Sequence, residues 1–395
     1  MEYLLGVCNS SNNSTINCWN YTTGNVEHVY SSKHKALNNS LCLLRKDYVL
    51  IAELNKPLLH LWSINGQESQ LRLILPDKAE AICIDNTCTY LVVGIGVSVY
   101  IWMICSGELL NVLQKNYQPI SCIKISNTQH IVIAGKDGIL TTYNFDDAVS
   151  KIINRNSEPL YVKNDHADAI TDLDIGLFGS HSRLVSVSLD QTCRMYDLES
   201  GEPLLVFAFN SPLTSIVLDA TSWNVYIGDN NGKINVIEIK GDIKMQHIDD
   251  HENAFEGHSK KITSMDINLT HNLLATASED CSIIIWDLKT RKQIRVFKQE
   301  LPPSGLLFIS GHSNIHSKTF TPKLQVQGLK KTQLDDLGTV FVVQNDDISI
   351  DEKDNNVMMG GLRSCSNNNV EELEIVNKQL YETLNMIIKK KFGTN

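Results

Sequence analysis

One pattern recurs along this chain at nearly constant spacing: a short β-rich run, a polar turn, and a second β-rich run ending on an aromatic residue. Its clearest copy is LLATASEDCSIIIWDLKT, Leu273 to Thr290. Aligned on the last residue of the second run, the copies fall at Trp19, Trp62, Trp102, Tyr143, Tyr196, Ile237 and Trp286. Successive spacings are 43, 40, 41, 53, 41 and 49 residues. A unit this short cannot bury the faces of its strands alone, so the units must stack on one another. Seven such units predict an all-β, seven-bladed β-propeller. The strands of an unrelated sandwich would carry no fixed period.

The first copy opens directly on YLLGVC (Tyr3 to Cys8), which aligns with LLATAS of the last copy. Nothing ahead of it matches ITSMDIN (Ile262 to Asn268), so its innermost strand is missing. The expectation is that residues 305–309 return to fill that place and close the ring over residues 1–310, removing an exposed sheet edge. The two long spacings mark insertions at 146–164 and 241–255, which read as variable loops or binding elements on a rigid scaffold. The second holds His247, Asp249, Asp250, His251 and Glu252, but no ligand spacing that specifies a metal geometry.

Beyond residue 310 the pattern stops. Residues 311–368 are polar and read as a flexible arm, with room for short pieces docked on the ring. Residues 369–392 change character again: Val370, Leu373, Val376, Leu380, Leu384 and Ile387 recur at helical steps. Asn369 caps this α-helix, acids open it and Lys389, Lys390 and Lys391 close it, as the helix dipole favours. A lone helix of about 20 residues is marginal in water. Its apolar stripe therefore wants a partner: its own copy in a short coiled coil, the propeller, or another protein's groove. Self-pairing is the favoured reading, which makes the chain a homodimer. The triple lysine reads as a solvated helix end, with direct RNA contact left open.

Composition narrows the function classes. With 42% hydrophobic and 20% charged residues and a net charge of −10, the chain is not a basic nucleic-acid binder taken whole. No apolar run is long enough to span a membrane, and Glu2 stands where a signal peptide wants a base, so an intracellular protein is expected. Ten cysteines lack any C-x-x-C pair and read as reduced core thiols rather than zinc ligands. Phosphate-loop and H-E-x-x-H motifs are absent, and no cofactor, metal or catalytic residue is expected.

The last copy contains Gly257-His258, Asp280 six residues before Trp286, and Trp286-Asp287. It resembles the WD repeat (WD40), and the resemblance implies a buried hydrogen-bond chain of His258, Ser278, Asp280 and Trp286. The fifth copy offers His166, Ser188, Asp190 and Tyr196, and the fourth keeps only Asp137. At the same offset the others carry Asn13, Lys56, Gly96 and Asn231. A catalytic reading of these residues is outweighed. The Ser and His come from different strands, no G-x-S-x-G elbow is near, and such bonds tie turns to the strands beneath.

Longer stretches resemble one family more closely: ITDLDIGLFGSHSRLVSVSLDQTCRMYDLESGEPLLVF (Ile170 to Phe207), AGKDGILTTYNF (Ala134 to Phe145), YIGDNNGKINVIEI (Tyr226 to Ile239), FEGHSKKITSMDI (Phe255 to Ile267), VMMGG (Val357 to Gly361) and the lysine-tipped terminal helix. Together they resemble the WD-repeat subunit of the nuclear complex that matures the large ribosomal subunit. That resemblance implies a non-enzymatic scaffold acting on the pre-ribosomal particle in processing of the internal transcribed spacer. It implies two helical-repeat scaffold proteins and the AAA ATPase midasin as partners, and homodimerisation through the terminal helix. It places the protein in the nucleus, in nucleolus and nucleoplasm. Copies one to three depart from the pattern, because the hallmark Asp is absent there. The alternative is a WD-repeat adaptor of another assembly, such as a ubiquitin-ligase substrate adaptor or signalling scaffold; an enzyme is the least favoured reading.

Overall fold

The computed structural model describes residues 2–330 apart from short stretches, of which the longest is 150–157. Residues 331–395 lie outside the described residues. With them go the helix expected over 369–392 and its residues Leu373, Val376, Leu380, Leu384 and Ile387.

The described strands form seven sheets of mainly antiparallel strands, which run in chain order from inside to outside except where blade 1 takes its inner strand from beyond blade 7 and blade 5 gains a parallel outer strand. The chain is a seven-bladed β-propeller, as its period predicts. Blade 2 runs Cys42–Leu44, Tyr48–Ala52, Leu58–Ser63 and Leu71–Ile74. Blade 3 runs Ala81–Ile84, Tyr90–Ile95, Ser98–Met103 and Leu109–Leu113. Blade 4 runs Ile120–Ile125, His130–Gly135, Leu140–Asn144 and Tyr161–Lys163. Blade 5 runs Ile170–Ile175, Arg183–Ser188, Thr192–Asp197 and Pro203–Ala208. Blade 6 runs Leu213–Leu218, Asn224–Asp229, Ile234–Glu238 and Ala254–Phe255. Blade 7 runs Ile262–Ile267, Leu273–Ser278, Ser282–Asp287 and Lys292–Lys298.

Blade 1 takes Glu2–Asn9, Ser14–Asn20 and Val26–Ser32 from the start of the chain and Pro303–Ser310 from beyond blade 7. Pro303–Ser310 lies antiparallel to Glu2–Asn9, with Leu5 opposite Leu307 and Tyr3 opposite Ile309. The ring is thus closed by one sheet built from residues 2–32 and 303–310. The closing strand is also tied to blade 7. The amide of Phe308 donates to Asp266 at 2.6 Å, that of Leu306 to Ser264 at 3.2 Å, and Thr263 donates to the Pro303 carbonyl at 2.8 Å.

Second strands such as YLVVGI and HIVIAG are apolar at nearly every position because both of their faces are covered. In blade 3, Leu91 and Val93 pack on blade 2, whereas Val92 packs on blade 4. The apolar side chains accordingly gather in one cluster at each blade-to-blade junction, and the cluster between blades 7 and 1 joins Ile283 and Ile285 to Leu4 and Trp19. The repeated aromatic always leans on the preceding blade: Trp62 on blade 1, Trp102 on blade 2, Trp286 on blade 6. All three are at most 2% exposed.

Parts of both insertions lie among the described residues. The first opens with a short helix, Phe145–Val149, whose Ala148 and Val149 are buried. The second contributes Met245–His247, which pairs in parallel with the outer strand of blade 5 and makes that sheet five-stranded. The expected arm is also not free along its whole length. Ile315 and Leu324 are buried, and residues 320–330 cross blades 2 and 3.

Candidate functional site

The polar chains of blades 5 and 7 are built alike. In blade 7, Trp286 Nε1–H donates to Thr276 Oγ1 at 2.9 Å. The Thr276 hydroxyl reaches His258 Nε2 at 2.8 Å, and His258 Nδ1 reaches Asp280 Oδ2 at 3.1 Å. Asp280 only accepts, so Nδ1 carries the proton and Nε2 receives the threonine hydroxyl. In blade 5, His166 joins Asp190 at 3.0 Å and Ser186 at 2.7 Å, and the Tyr196 hydroxyl lies near Ser186 and Asp165.

Two residues expected in these chains stand outside them. Ser278 donates to the Lys260 carbonyl and accepts the Asp280 amide, while Ser188 does the same with Asp168 and Asp190. The members of the chains are Thr276 and Ser186, two residues earlier. Side chains two apart share one face of a strand. The pairing of Leu274 with Trp286 and of Leu184 with Tyr196 brings 276 and 186, not 278 and 188, under the ring. The signal in the sequence is a hydroxyl ten residues before the aromatic. In the equivalent register, two residues past the one paired with the aromatic position, blades 2, 3, 4 and 6 carry Ile51, Val93, Ile133 and Ile227, and blade 1 carries Gly6 against the Trp19 ring. Asp137 in blade 4 accepts only the nearby Ile139 amide at 3.0 Å among the described residues.

Burial works to raise Asp190 and Asp280. Hydrogen bonds from His166 and Thr192 in one case, and from Ser282 and Ser259 in the other, outweigh it and hold both well below the usual carboxylate range. Burial lowers His258, against the pull of Asp280. These are fixed, satisfied structural groups. Thr276→Val leaves the Trp286 indole and His258 Nε2 without partners and is expected to cost about 2–4 kcal/mol. Ser278→Ala, whose partners lie at a wetter turn, is expected to cost less; urea denaturation of the two variants gives the order.

The inner strands of all seven blades line one central cavity of about 900 Å³. Of the lysines that line it, Lys124 stands 3.6 Å from Asp174. Burial acts to lower Lys124, but Asp174, Asp172 and Asp266 overcome it and keep the ammonium charged. Each of these aspartates also caps a neighbouring inner strand: Asp172 accepts the Ile216 amide, Asp174 that of Leu218, and Asp266 that of Phe308. Threonines repeat the stitch, with Thr171 donating to Leu213 and Thr214 to Ile262. Apolar-Thr pairs at 170–171, 213–214 and 262–263 are the sequence signal for it.

Burial pushes Asp266 up to about 7 and Asp172 up to about 6, from 3.8 for an exposed aspartate. Above the unfolded value and below the folded one, the fold keeps a proton that the unfolded chain has released. The stability from this proton is therefore full below about pH 4 and lost as pH rises to 7. Asp266→Asn keeps the acceptor and removes the titration. Its stability relative to the parent is expected to rise between pH 4.5 and 7.5, as read by urea midpoints across that range.

A second polar hub was not visible in the sequence. Glu53, 5% exposed, accepts from Lys56 at 3.1 Å and faces His34 at 3.2 Å and His60 at 3.3 Å. It occupies in blade 2 the turn where Asp280 sits in blade 7. Among the described residues no group of three or more His, Cys, Asp or Glu is placed to hold a metal ion. Of the acidic and histidine residues of the second insertion, His247 lies in a strand and 249–252 fall outside the described residues.

One end of each blade carries the turns that follow its first and third strands. On that face Trp223 is 57% exposed, with the Arg183 guanidinium 5.3 Å from its ring, and Leu177 is 54% exposed nearby on blade 5. Gly176 abuts Ser222 and brings the two turns together. A half-exposed tryptophan stacked by an arginine is the composition of an interface anchor.

Comparison with known proteins agrees with this anatomy. The family model described as WD domain, G-beta repeat matches residues 157–197 and 250–287. Two segments of this seven-bladed propeller thus match the WD repeat. The two matched segments cover the third strands of blades 5 and 7, the blades that keep a complete polar chain. Curated relatives include WD repeat-containing protein 18 of Danio rerio, 27% identical over 70% of this chain and 66% of that protein. The Mus musculus protein of the same name is 26% identical over 74% and 69%. Pre-rRNA-processing protein pro-1 of Caenorhabditis briggsae is 25% identical over 78% of this chain and 59% of that protein. The chain thus spans between about half and two thirds of the length of these relatives.

Proposed function

We propose that this chain is a non-enzymatic scaffold subunit in pre-rRNA processing and maturation of the large ribosomal subunit. The observation that carries the reading is an alignment over 322 residues to a protein named for pre-rRNA processing. The site chemistry is consistent with a platform: His166 and His258 are consumed in satisfied chains, and Lys124 is neutralised inside the channel. What the ring offers outward is turns and an aromatic anchor at Trp223. In this reading the partners are two helical-repeat scaffold proteins, a midasin-type AAA ATPase and the pre-ribosomal particle. The site of action is the nucleus, in nucleolus and nucleoplasm. The chain pairs with its own copy through the stripe of Leu373, Val376, Leu380, Leu384 and Ile387.

Affinity purification of the tagged full chain from cells is expected to recover precursor rRNA containing the internal transcribed spacer, together with large helical-repeat proteins. Recovery of a cullin or kinase assembly without rRNA precursors defeats the proposal. Leu380→Asp with Leu384→Asp is expected to halve the mass seen by light scattering; an unchanged mass rejects self-pairing through the helix.

A further inference from the structure

Blades 2 and 3 lack the polar chain of blades 5 and 7, and a different element lies across them. Residues 320–330 run over the turns of these blades, held chiefly by main-chain bonds. Asp47, 7% exposed, accepts the amides of Lys323 at 3.0 Å and Leu324 at 2.8 Å, its only side-chain partners among the described residues. Asn65 donates to the carbonyls of Ser317 and Phe320 at 3.0 and 3.1 Å. The Lys330 amide donates to the Gly107 carbonyl at 2.7 Å. Trp102, fully buried, donates its indole N–H to the Lys330 carbonyl at 2.9 Å. Its counterpart Trp286 donates instead to a hydroxyl within its own blade, where blade 3 has only Val93.

The fit is also steric. Leu324, Val326 and Leu329 enter the cluster between blades 2 and 3. Gly107 has φ of +65°, and a Cβ there would stand 2.1 Å from the Gly328 carbonyl oxygen. At the far end Lys330 pairs with Glu108 at 3.6 Å.

We propose that this turn face is a peptide-recognition groove in its own right, with residues 320–330 as its resident ligand. Its ligand class is an extended segment with apolar residues in the spacing of Leu324, Val326 and Leu329, a glycine before the last and a basic residue after it. Asp47 reads two successive amides, Trp102 reads a carbonyl, and the side-chain pockets set the register. This mode joins main-chain bonds for affinity to alternate apolar pockets for specificity. Occupancy in cis satisfies the buried Asp47 carboxylate, and the buried Trp102 indole that has no hydroxyl partner within its own blade.

The test uses the full chain and a labelled peptide of residues 320–330. Leu324→Asp with Leu329→Asp expels the resident segment. That variant is expected to bind the peptide at least about tenfold more tightly than the unaltered chain, whose groove is filled. Adding Asp47→Ala is expected to weaken the peptide by about tenfold or more. A folded double variant that does not take up the peptide overturns the proposal. Should the double variant fail to fold, hydrogen exchange of the unaltered chain decides. The amides of Lys323, Leu324 and Lys330 are expected to be strongly protected, and exchange at the rate of a free peptide overturns the groove.

Discussion

Every sheet in this protein is apolar on both sides, and no sheet can satisfy that alone. Val92 must meet one neighbour while Leu91 and Val93 meet another. A linear stack would leave two such faces in water, a ring leaves none. The need for a partner on each side explains why the aromatic residues wedge against the preceding blade. It also explains why the chain returns from beyond blade 7 to supply Pro303–Ser310 to blade 1.

Polar groups then decide how rigidly neighbouring blades are joined. Blades 5 and 7 spend a histidine, an aspartate and a hydroxyl to fix one turn each, and blade 2 reaches a similar end with Glu53 between His34, His60 and Lys56. Inside the ring, Asp172, Asp174 and Asp266 bridge strands of adjacent blades and share the ammonium of Lys124. Burial, with a smaller push from Asp174, outweighs the pull of Lys124 and the strand amides, so Asp266 and Asp172 hold protons toward neutral pH.

The ring itself was legible because a spacing near 41 residues and a repeated terminal aromatic survive divergence of everything between them. The returning strand was legible as a gap, since Tyr3 to Cys8 aligns with a second strand and has no first. The hydroxyl of each polar chain was not. Thr276 and Ser278 share a face of one strand, and only the pairing of Leu274 with Trp286 tells which lies beneath the ring. The Glu53 hub draws on three separate segments with no fixed spacing. Residues 320–330 carry no period at all, because the main chain rather than the side chains makes most of their bonds.

The short strand Met245–His247 leaves blade 6 and lies along the rim of blade 5, parallel to Pro203–Ala208. One blade's excursion has become its neighbour's hem. The backbone of Val206, Phe207 and Ala208 is thereby paired, where an unpaired strand is a template for foreign chains. A visitor seeking to extend the rim there would find Met245, Gln246 and His247 already seated. The circumference of this molecule is therefore not uniform: in one sector the outermost backbone is three residues lent by the neighbouring blade.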